Sequence, residues 1–522
     1  MAVFLVVIAS FLIASSLLHR WFKRLSVKHV QGPPSPSFWL GHQRVLRDQE
    51  NAGDLETKWR REYGNLYRIG GCLGQDVLVV CDPKALAHIF HPSRPYPKSK
   101  DAVFILGLVA GKGLAIVTSE THHRQRKILN LAFSPAQLRI SQVIFQQCSD
   151  KLVNGIKGSL VGGTDATVNI RDWMGKVTLD IIAAFRYDFS TLDGQRTELG
   201  TAMKHLFTAS QTNTTALELI LIALIRMLPN SMLGILRLFS TREIRQLVSV
   251  GNMAKRNARE ILANHNDGQI PEGDGDIISV LGNTANVRDI SSSTTCSSRC
   301  NFLSRSRTFV IAGHETSSTS LCWLLYELAV HPEHQSIIRA ELKGSNDYDS
   351  MPFLNAVIKE ALRLYPVAHS LMRTAPHDDV LPLSGGKTLA VPKGQTFVCS
   401  AYLYNRQVLP MSLQPFSSLP SLWGDDAEEW NPARFLDKAL PVSLGVYANL
   451  MSFISVYSNC SMKYRIMEMQ TIIANLILHF EFSLPEGDAE ILRFPSSPAV
   501  VPIVKGKAHL GSQLPLRVKV LQ

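Results

Sequence analysis

The sequence lacks the signatures of several large classes of protein. It has no zinc-finger spacing, no Walker loop, and no dense lysine and arginine run with interleaved aromatic residues. It also has no flavin or nicotinamide motif. We therefore expect no nucleic-acid partner, and any electrons or nucleotide cofactor that the protein needs must come from another chain.

Cysteine is scarce, with eight residues in a chain of 522, and the eight share no repeated spacing. Reduced thiols facing the cytosol are therefore favoured over a disulfide framework. Cys296 and Cys300 are spaced C-x-x-x-C, but no second pair accompanies them, which disfavours a metal site there. The cysteines are Cys72, Cys81, Cys148, Cys296, Cys300, Cys322, Cys399 and Cys460.

Acidic residues are outnumbered, with 43 Asp and Glu against 54 Lys and Arg, which gives a formal charge of +11. Because nucleic-acid motifs are missing, this excess indicates a membrane surface or an acidic protein partner.

The first residues predict a membrane anchor. Residues 2–18 are apolar or small and carry no charge, and a helix of that length reaches roughly 25 Å, at the short end for a span. Basic residues follow the apolar run, which favours a cytoplasmic location for the rest of the chain. A cleaved signal peptide and a core helix are the alternatives, but no basic segment precedes the run and no A-x-A-like site follows it.

Three regions are predicted in sequence order. Residues 1–18 form the anchor, residues 19–37 form a basic, proline-rich hinge, and residues 38–522 form a single domain. The prolines of the hinge predict a stiff, extended linker between membrane and globule.

The secondary-structure pattern is mainly helical with small sheets. Residues 66–80 read as a hairpin with a turn at Gly70 and Gly71, and further strands are expected within residues 381–397. Residues 135–263 are mostly of helical pattern, and the apolar run at 466–482 has helical spacing. The fold class is therefore mainly α with small β-sheets, not a doubly wound sheet.

The strongest predicted helix, residues 308–328, contains the segment A-G-H-E-T. Gly313 and Thr316 are poor helix formers, and Glu315 is an acid within an apolar helix. These residue types are equally compatible with two interpretations. One is a helix kink whose free backbone groups are satisfied by side-chain hydrogen bonds. The other is a groove that contacts a flat ligand, with a proton relay beside it.

Charged pairs recur at helical spacing elsewhere. His122 and Arg126 are four apart, either on a solvated face or as a clamp for one anion. Glu360 and Arg363 are three apart, and Arg434 lies in the segment W-N-P-A-R-F, where it could complete a network with them. Arg373 follows in an extended segment.

The segment 445–465 contains Cys460 just before the apolar helix. The positive end of a helix dipole stabilises a thiolate, and a thiolate can bind haem iron. A lone cysteine is more often a small buried hydrophobic residue. Cys460 is therefore a candidate ligand only in combination with the other motifs of the sequence.

In this order, the motifs resemble those of cytochrome P-450, a haem-thiolate monooxygenase, of the membrane-anchored eukaryotic and fungal-like kind. The resemblance rests on the anchor and hinge, H-x-x-x-R, A-G-x-E-T, E-x-x-R, N-P-x-R-F, and G-V-Y-A-N-L-M-S-F before Cys460. It covers nearly the whole chain.

The resemblance implies a fold with haem b between the oxygen-site helix and the cysteine loop. Cys460 would be the axial ligand of the iron, and Ala312 and Gly313 would lie over the haem. Thr316 and Glu315 would guide protons to dioxygen. The propionates would meet His122, Arg126 and Arg373, and the structural network would comprise Glu360, Arg363 and Arg434.

The same resemblance implies the partners. It predicts an apolar substrate, an external NADPH-linked flavoprotein reductase, and a single-pass anchor in the endoplasmic reticulum membrane with the catalytic domain facing the cytoplasm.

The cysteine loop departs from the family pattern F-x-x-G-x-R-x-C-x-G. Val456 and Met462 occupy the glycine positions, where we expect strain from positive φ, and Ser458 replaces the arginine. Residues 291–304, 341–350 and 407–420 also look foreign to the family. The alternative is therefore a non-catalytic remnant or misread gene model with impaired haem binding.

Overall fold

The computed structural model describes most of the chain outside its N-terminus and several internal segments. The described residues are 15, 27–91, 93, 96–114, 116–117, 119–160, 163–183, 191–193, 215–228, 241–266, 295–345, 347–407, 423–436, 447–453, 462–487, 489–495 and 499–521.

Helices account for most of the described residues, as the sequence predicts. They are α1 (Gln43–Arg47), α2 (Asp54–Tyr63), α3 (Pro83–Ile89), α4 (Lys100–Ala110), α5 (Ser119–Ala132), α6 (Pro135–Ser159), α7 (Ile170–Ala183), α8 (Ala216–Met227), α9 (Arg242–Asn266), α10 (Thr295–Val330), α11 (Pro332–Gly344), α12 (Pro352–Leu364), α13 (Ala401–Tyr404) and α14 (Met462–His479).

The strands form small sheets, which confirms the predicted fold class. They are β1 (Leu66–Gly70), β2 (Asp76–Val80), β3 (Asp165–Asn169), β4 (Ser370–Thr374), β5 (Asp379–Pro382), β6 (Thr388–Val391), β7 (Thr396–Ser400), β8 (Phe480–Ser483), β9 (Ile491–Pro495), β10 (Val500–Val504) and β11 (Pro515–Val520). The largest sheet has the order β1-β2-β7-β4, and the others are β3-β11-β8, β10-β9 and β5-β6.

The long helix α10 passes through the larger hydrophobic core. Its 36 residues extend about 54 Å. Leu321, Leu324 and Leu325 on this helix are buried in a core that helices α6, α7, α12 and α14 share. A second core covers the sheet β1-β2-β7. Residues 313–320, which precede Leu321 on the same helix, are therefore carried by a helix that this core holds in place.

The predicted hairpin and the helix after it are confirmed. Strands β1 and β2 pair antiparallel, with Leu66 opposite Val80. Helix α3 starts where Asp82 accepts hydrogen bonds from the backbone N–H groups of Lys84 and Ala85, as an N-cap does.

Two boundaries differ from the sequence-based prediction. The helix expected over 466–482 ends at His479, because residues 480–483 pair with β11 as strand β8. Strand β3 lies within the segment expected to be mostly helical, and it pairs with the distant β11. Both strands depend on a partner near the C-terminus that local periodicity does not reveal.

The second half of the predicted hinge is part of the globule, which corrects the expected linker. Val27 and Val30 are buried in the core of the sheet. The Gln31 carbonyl accepts a hydrogen bond from the backbone N–H of Arg68 at 2.9 Å. Within the described part of the chain, packing against the sheet is therefore present from Val27, ahead of residue 38.

Among the residues that the structure describes, no helix has the length and apolar character needed to cross a membrane. The predicted anchor lies outside them except for Ser15.

We predict that two N-terminal deletions differ in their effect on stability. Removing residues 1–26 leaves the apparent melting temperature of the globule unchanged. Removing residues 1–36 lowers it, because the two buried valines each contribute roughly 1.5–3 kcal/mol. Differential scanning fluorimetry of the two proteins measures the difference, and equal melting temperatures would contradict the packing of Val27 and Val30.

Candidate functional site

Helix α7 packs on one face of α10 and pairs with the acid of the A-G-H-E-T segment. Glu315 is 3% exposed, and its two carboxylate oxygens accept hydrogen bonds from Nη2 of Arg171 at 2.7 and 2.8 Å. Arg171 also donates to the hydroxyl groups of Ser318 and Ser512. Burial lowers the pKa of Arg171, but the charge and hydrogen bonds of Glu315, together with the charges of Cys322 and Asp172, more than offset burial and raise that pKa. Arg171 and Glu315 therefore form an ion pair between α7 and α10.

The preceding residue, His314, also contacts α7. Its Nδ1 lies 3.0 Å from the hydroxyl oxygen of Thr178. Burial and the Arg171 charge lower the pKa of His314 to about 3, so the ring is neutral at physiological pH.

Gly313 allows the two helices to approach closely. A Cβ atom at this position would lie 3.1 Å from Cδ1 of Ile182 on α7, which is tighter than an ordinary contact. Helix packing thus explains the glycine. The expected position of Gly313 over the haem stays a prediction, and the side chain of Ala312 lies outside the described part of the chain.

On another face, α10 contacts α14 through a second buried carboxyl group. Glu468 is 2% exposed, and its Oε2 accepts a hydrogen bond from the Ser317 hydroxyl at 2.6 Å. Burial raises the pKa of Glu468 to about 7, against smaller opposing effects of Ser317 and Arg465. Thr316, which is half-buried, lies between the two acid contacts of α10 in sequence.

A cluster of basic side chains, called here the basic cluster, comprises Lys98, His122, Arg126 and Arg373. Lys98 and Arg373 pair as an isolated antiparallel bridge. Arg373 is buried, its Nη1 donates to the Met372 carbonyl at 3.0 Å, and its guanidinium lies 5.0 Å from the centroid of the Phe90 ring.

The members of the basic cluster disfavour each other's charge. Burial and the Arg373 charge lower the pKa of Lys98 to about 8. Burial, followed by the charges of Lys98, Arg126 and His123, lowers the pKa of His122. The structure thus brings the three predicted propionate contacts together around Lys98. Two carboxylates placed here would relieve the repulsion, so these residues fit the propionates of haem.

The predicted Glu–Arg–Arg network is present and buried. Glu360 and Arg363 are both 0% exposed, and Nε and Nη2 of Arg363 donate to the Glu360 carboxylate at 2.7 and 2.8 Å. Nε of Arg434 donates to the same carboxylate at 3.0 Å. Arg434 also pairs with Asp426 at 2.9 Å. The Glu360–Arg363 pair is therefore not a surface ion pair.

The cysteine loop is described only at its two ends. Cys460, Val456 and Ser458 lie outside the described residues, whereas Phe453 ends a short 3-10 helix and Met462 begins α14. Met462 is not among the described non-glycine residues with positive φ. The strain expected at Met462 is therefore wrong, because a helical backbone accepts a side chain there.

His331, Glu333 and His334 form a second group of potential metal ligands at the start of α11. The indole N–H of Trp430 donates to Nδ1 of His334 at 3.1 Å. An N–H group can only donate, so Nε2 carries the proton in the neutral ring. This tautomer disfavours metal binding through Nε2, and the group is better explained as helix-end packing.

Sequence reasoning did not identify Arg171, Lys98, Ser317 or Glu468. Arg171 lies 144 residues from Glu315, and Ser317 lies 151 residues from Glu468. The one local signal was Glu468 itself, an acid on the buried face of an apolar helix.

Comparison with known proteins identifies the family. A family model described as Cytochrome P450 matches residues 31–509. Cytochrome P450 monooxygenase 205 of Postia placenta is 30% identical over 94% of this chain and 93% of that protein. Cytochrome P450 monooxygenase claQ of Ampulloclitocybe clavipes is 28% identical over 97% of this chain and 95% of that protein.

The chain belongs to the cytochrome P450 family and is similar to its fungal members. Its class is that of a monooxygenase, and its cofactor is haem b.

We predict that Glu360→Ala strongly reduces the yield of folded protein. It leaves two buried guanidinium groups without their carboxylate, and breaking a buried pair costs roughly 3–5 kcal/mol. The control is Asp48→Asn, which removes the pair with Arg44, where both side chains are 65% exposed. Soluble yield and melting temperature are the measurements, and equal behaviour of the two variants would contradict the prediction.

Proposed function

We propose that the chain inserts one oxygen atom of dioxygen into an apolar small molecule, with electrons from an external NADPH-linked flavoprotein reductase. The observation that carries the proposal is the basic cluster beside α5 and β4, whose charges call for an anionic ligand. The excess of basic residues also suits docking to an acidic reductase.

In this proposal, Cys460 would hold the haem iron through its thiolate, and Arg373, Arg126, His122 and Lys98 would offset the charge of the propionates. The bound haem supplies the activation of dioxygen. The protein's basic residues would hold the cofactor's carboxylates, and α10 would place Thr316 beside the cofactor.

Thr316 and Glu315 are proposed to support proton delivery, in different ways. Thr316 is half-buried and carries a hydroxyl group that can both accept and donate a proton. Glu315 contributes through its ion pair with Arg171, which fixes the turn that carries Thr316.

Residues 1–18 are proposed to anchor the chain in the endoplasmic reticulum membrane with the globule facing the cytoplasm. The charge-free run and the basic residues after it support this orientation. Removing residues 1–26 should release the protein from the membrane pellet, and a full-length chain that is soluble without detergent would contradict the anchor.

The second candidate function is a remnant of the family that keeps the fold and binds haem poorly. The cysteine loop favours it, because Val456 and Ser458 stand where the family has glycine and arginine. Strain at one such position costs roughly 1–3 kcal/mol. The intact A-G-x-E-T and E-x-x-R segments favour the enzyme.

We predict that Arg373→Met and Arg126→Met each weaken haem retention roughly 10- to 100-fold, since a hydrogen bond to a charged group contributes roughly 1.5–3 kcal/mol. The matched control is Arg124→Met, which removes an exposed cation from the same helix as Arg126. Haem transfer to an acceptor protein gives the rates. Equal retention in all three variants would place the propionates elsewhere.

We predict that Val456→Gly with Ser458→Arg raises the haem content of the purified chain, and that Cys460→Ala abolishes thiolate ligation. The ferrous–carbon monoxide absorption band reports that ligation. A full band in the unmodified chain would refute the remnant. A band that persists in Cys460→Ala would refute the assignment of Cys460.

A further inference from the structure

Two buried carboxyl groups contact one turn of α10 from different sides. Glu315 on α10 meets α7, and Glu468 on α14 meets Ser317 of α10. At about 100° per residue, positions 315 and 317 point in nearly opposite directions, with Thr316 about 100° from each. The turn that carries Thr316 is therefore held between the two acids.

Glu315 has an ion-pair partner and a hydroxyl partner. The Arg171 guanidinium approaches both carboxylate oxygens, and the Thr319 hydroxyl lies 3.2 Å from Oε1.

The surroundings of Glu468 favour proton exchange. Its one hydrogen bond within the described part of the chain comes from the Ser317 hydroxyl, a neutral group that can donate or accept. The other titratable groups that interact with it are Arg465 and Tyr464 on α14 and Cys148 on α6.

These neighbours leave the carboxyl group poorly compensated. The charge of Arg465 favours the carboxylate, and the pKa values of Tyr464 and Cys148 are raised, so both are neutral near pH 7. A buried carboxyl group without an ion pair binds its proton more tightly than an exposed one. The pKa of Glu468, raised by burial to about 7, agrees with this geometry.

We propose that Glu468, acting through Ser317, stores and exchanges a proton beside Thr316, whereas Glu315 stays engaged in its ion pair with Arg171. The functional part rests on the proposed monooxygenase reaction, which consumes protons when one atom of dioxygen becomes water. Glu468 is a positioning residue for this proton. In its protonated form, Glu468 can donate a hydrogen bond to the Ser317 hydroxyl.

The first test is infrared difference spectroscopy of the full-length chain, which distinguishes a buried COOH group from a carboxylate without any need for haem. We expect a COOH signal at pH 6 that disappears by pH 8.5. Glu468→Gln should remove it, and the matched variant Glu315→Gln should retain it. A signal that disappears in Glu315→Gln, or persists in Glu468→Gln, would overturn the proposal.

Arg171 supplies the second test. In Arg171→Met, Glu315 loses its counter-charge, so a second COOH signal should appear near neutral pH and vanish in Arg171→Met with Glu315→Gln. Arg171→Lys keeps a positive charge and should therefore show no second COOH signal. This variant replaces Arg171→Met as the test if the Met variant does not fold. A second signal in Arg171→Lys alone would contradict the role of the pair.

Stability provides a readout with a defined sign. The folded-state pKa of Glu468 lies above the ordinary value of 4.5, so its stabilising contribution is full below about pH 4.5 and is lost as pH rises to about 7. Glu468→Gln should therefore flatten the fall in melting temperature across that window, and Asp48→Asn should leave it unchanged. An equal slope in wild type and Glu468→Gln would overturn the proposal.

In the haem-loaded chain, product formed per NADPH consumed should fall as pH rises through 7, and Glu468→Gln should give a low and flat profile. An unchanged profile would refute the functional part. Loss of the carbon monoxide band would instead refute the proposed function and leave the infrared result intact.

Discussion

The buried carboxylate of Glu360 is the interaction on which the frame of this molecule depends. It binds Arg363 on its own helix, Arg434 from the segment after Trp423, and the backbone N–H of Asn431. Arg363 in turn donates to the carbonyls of Asn405, Ala427 and Glu429. Removing these charges from water is expensive, so the network fixes geometry more than it adds net stability.

The same network orients the chain that leads toward Cys460. The Asn405 side chain accepts from the backbone N–H of Met451 and donates to Ser452, and the Ser452 hydroxyl donates to the Leu362 carbonyl. The segment before the cysteine loop is thus attached to helix α12 and its ion network. Substitutions within residues 454–461 would change the loop without removing this support.

Much of the fold was predictable because its signals are local. Asp82 and Pro83 begin α3, Pro352 begins α12, and the pair Glu360–Arg363 follows from three-residue spacing on one helix. The helix boundary at His479 was not predictable, because strand β8 exists only through its pairing with β11. The packing of Val27 and Val30 on the sheet was not predictable, because proline predicts extended backbone but not whether that backbone contacts a sheet.

The candidate site was predictable in residue type and less so in role. The cations His122, Arg126 and Arg373 are brought together as the resemblance implied, but Lys98 joins them through a strand bridge that no motif marks. Glu315 has the expected position within its motif, yet its chemistry depends on Arg171, far away in sequence. Sequence spacing identifies an acid, whereas its protonation state depends on partners from other helices.

The buried charged groups of this protein differ in how far neighbouring charges of opposite sign neutralise them. At Glu360 and Glu315 the protein supplies guanidinium groups, so both carboxylates belong to fixed ion pairs. In the basic cluster, neighbouring positive charges lower the pKa values of Lys98 and His122, and an added anion would reduce this repulsion. At Glu468 the hydrogen bond that the described residues supply comes from a hydroxyl group, and binding a proton lowers the cost of burial. The ion pairs of Glu360 and Glu315 therefore hold the fold in place. The basic cluster is suited to bind an anionic cofactor, and Glu468 is suited to bind a proton.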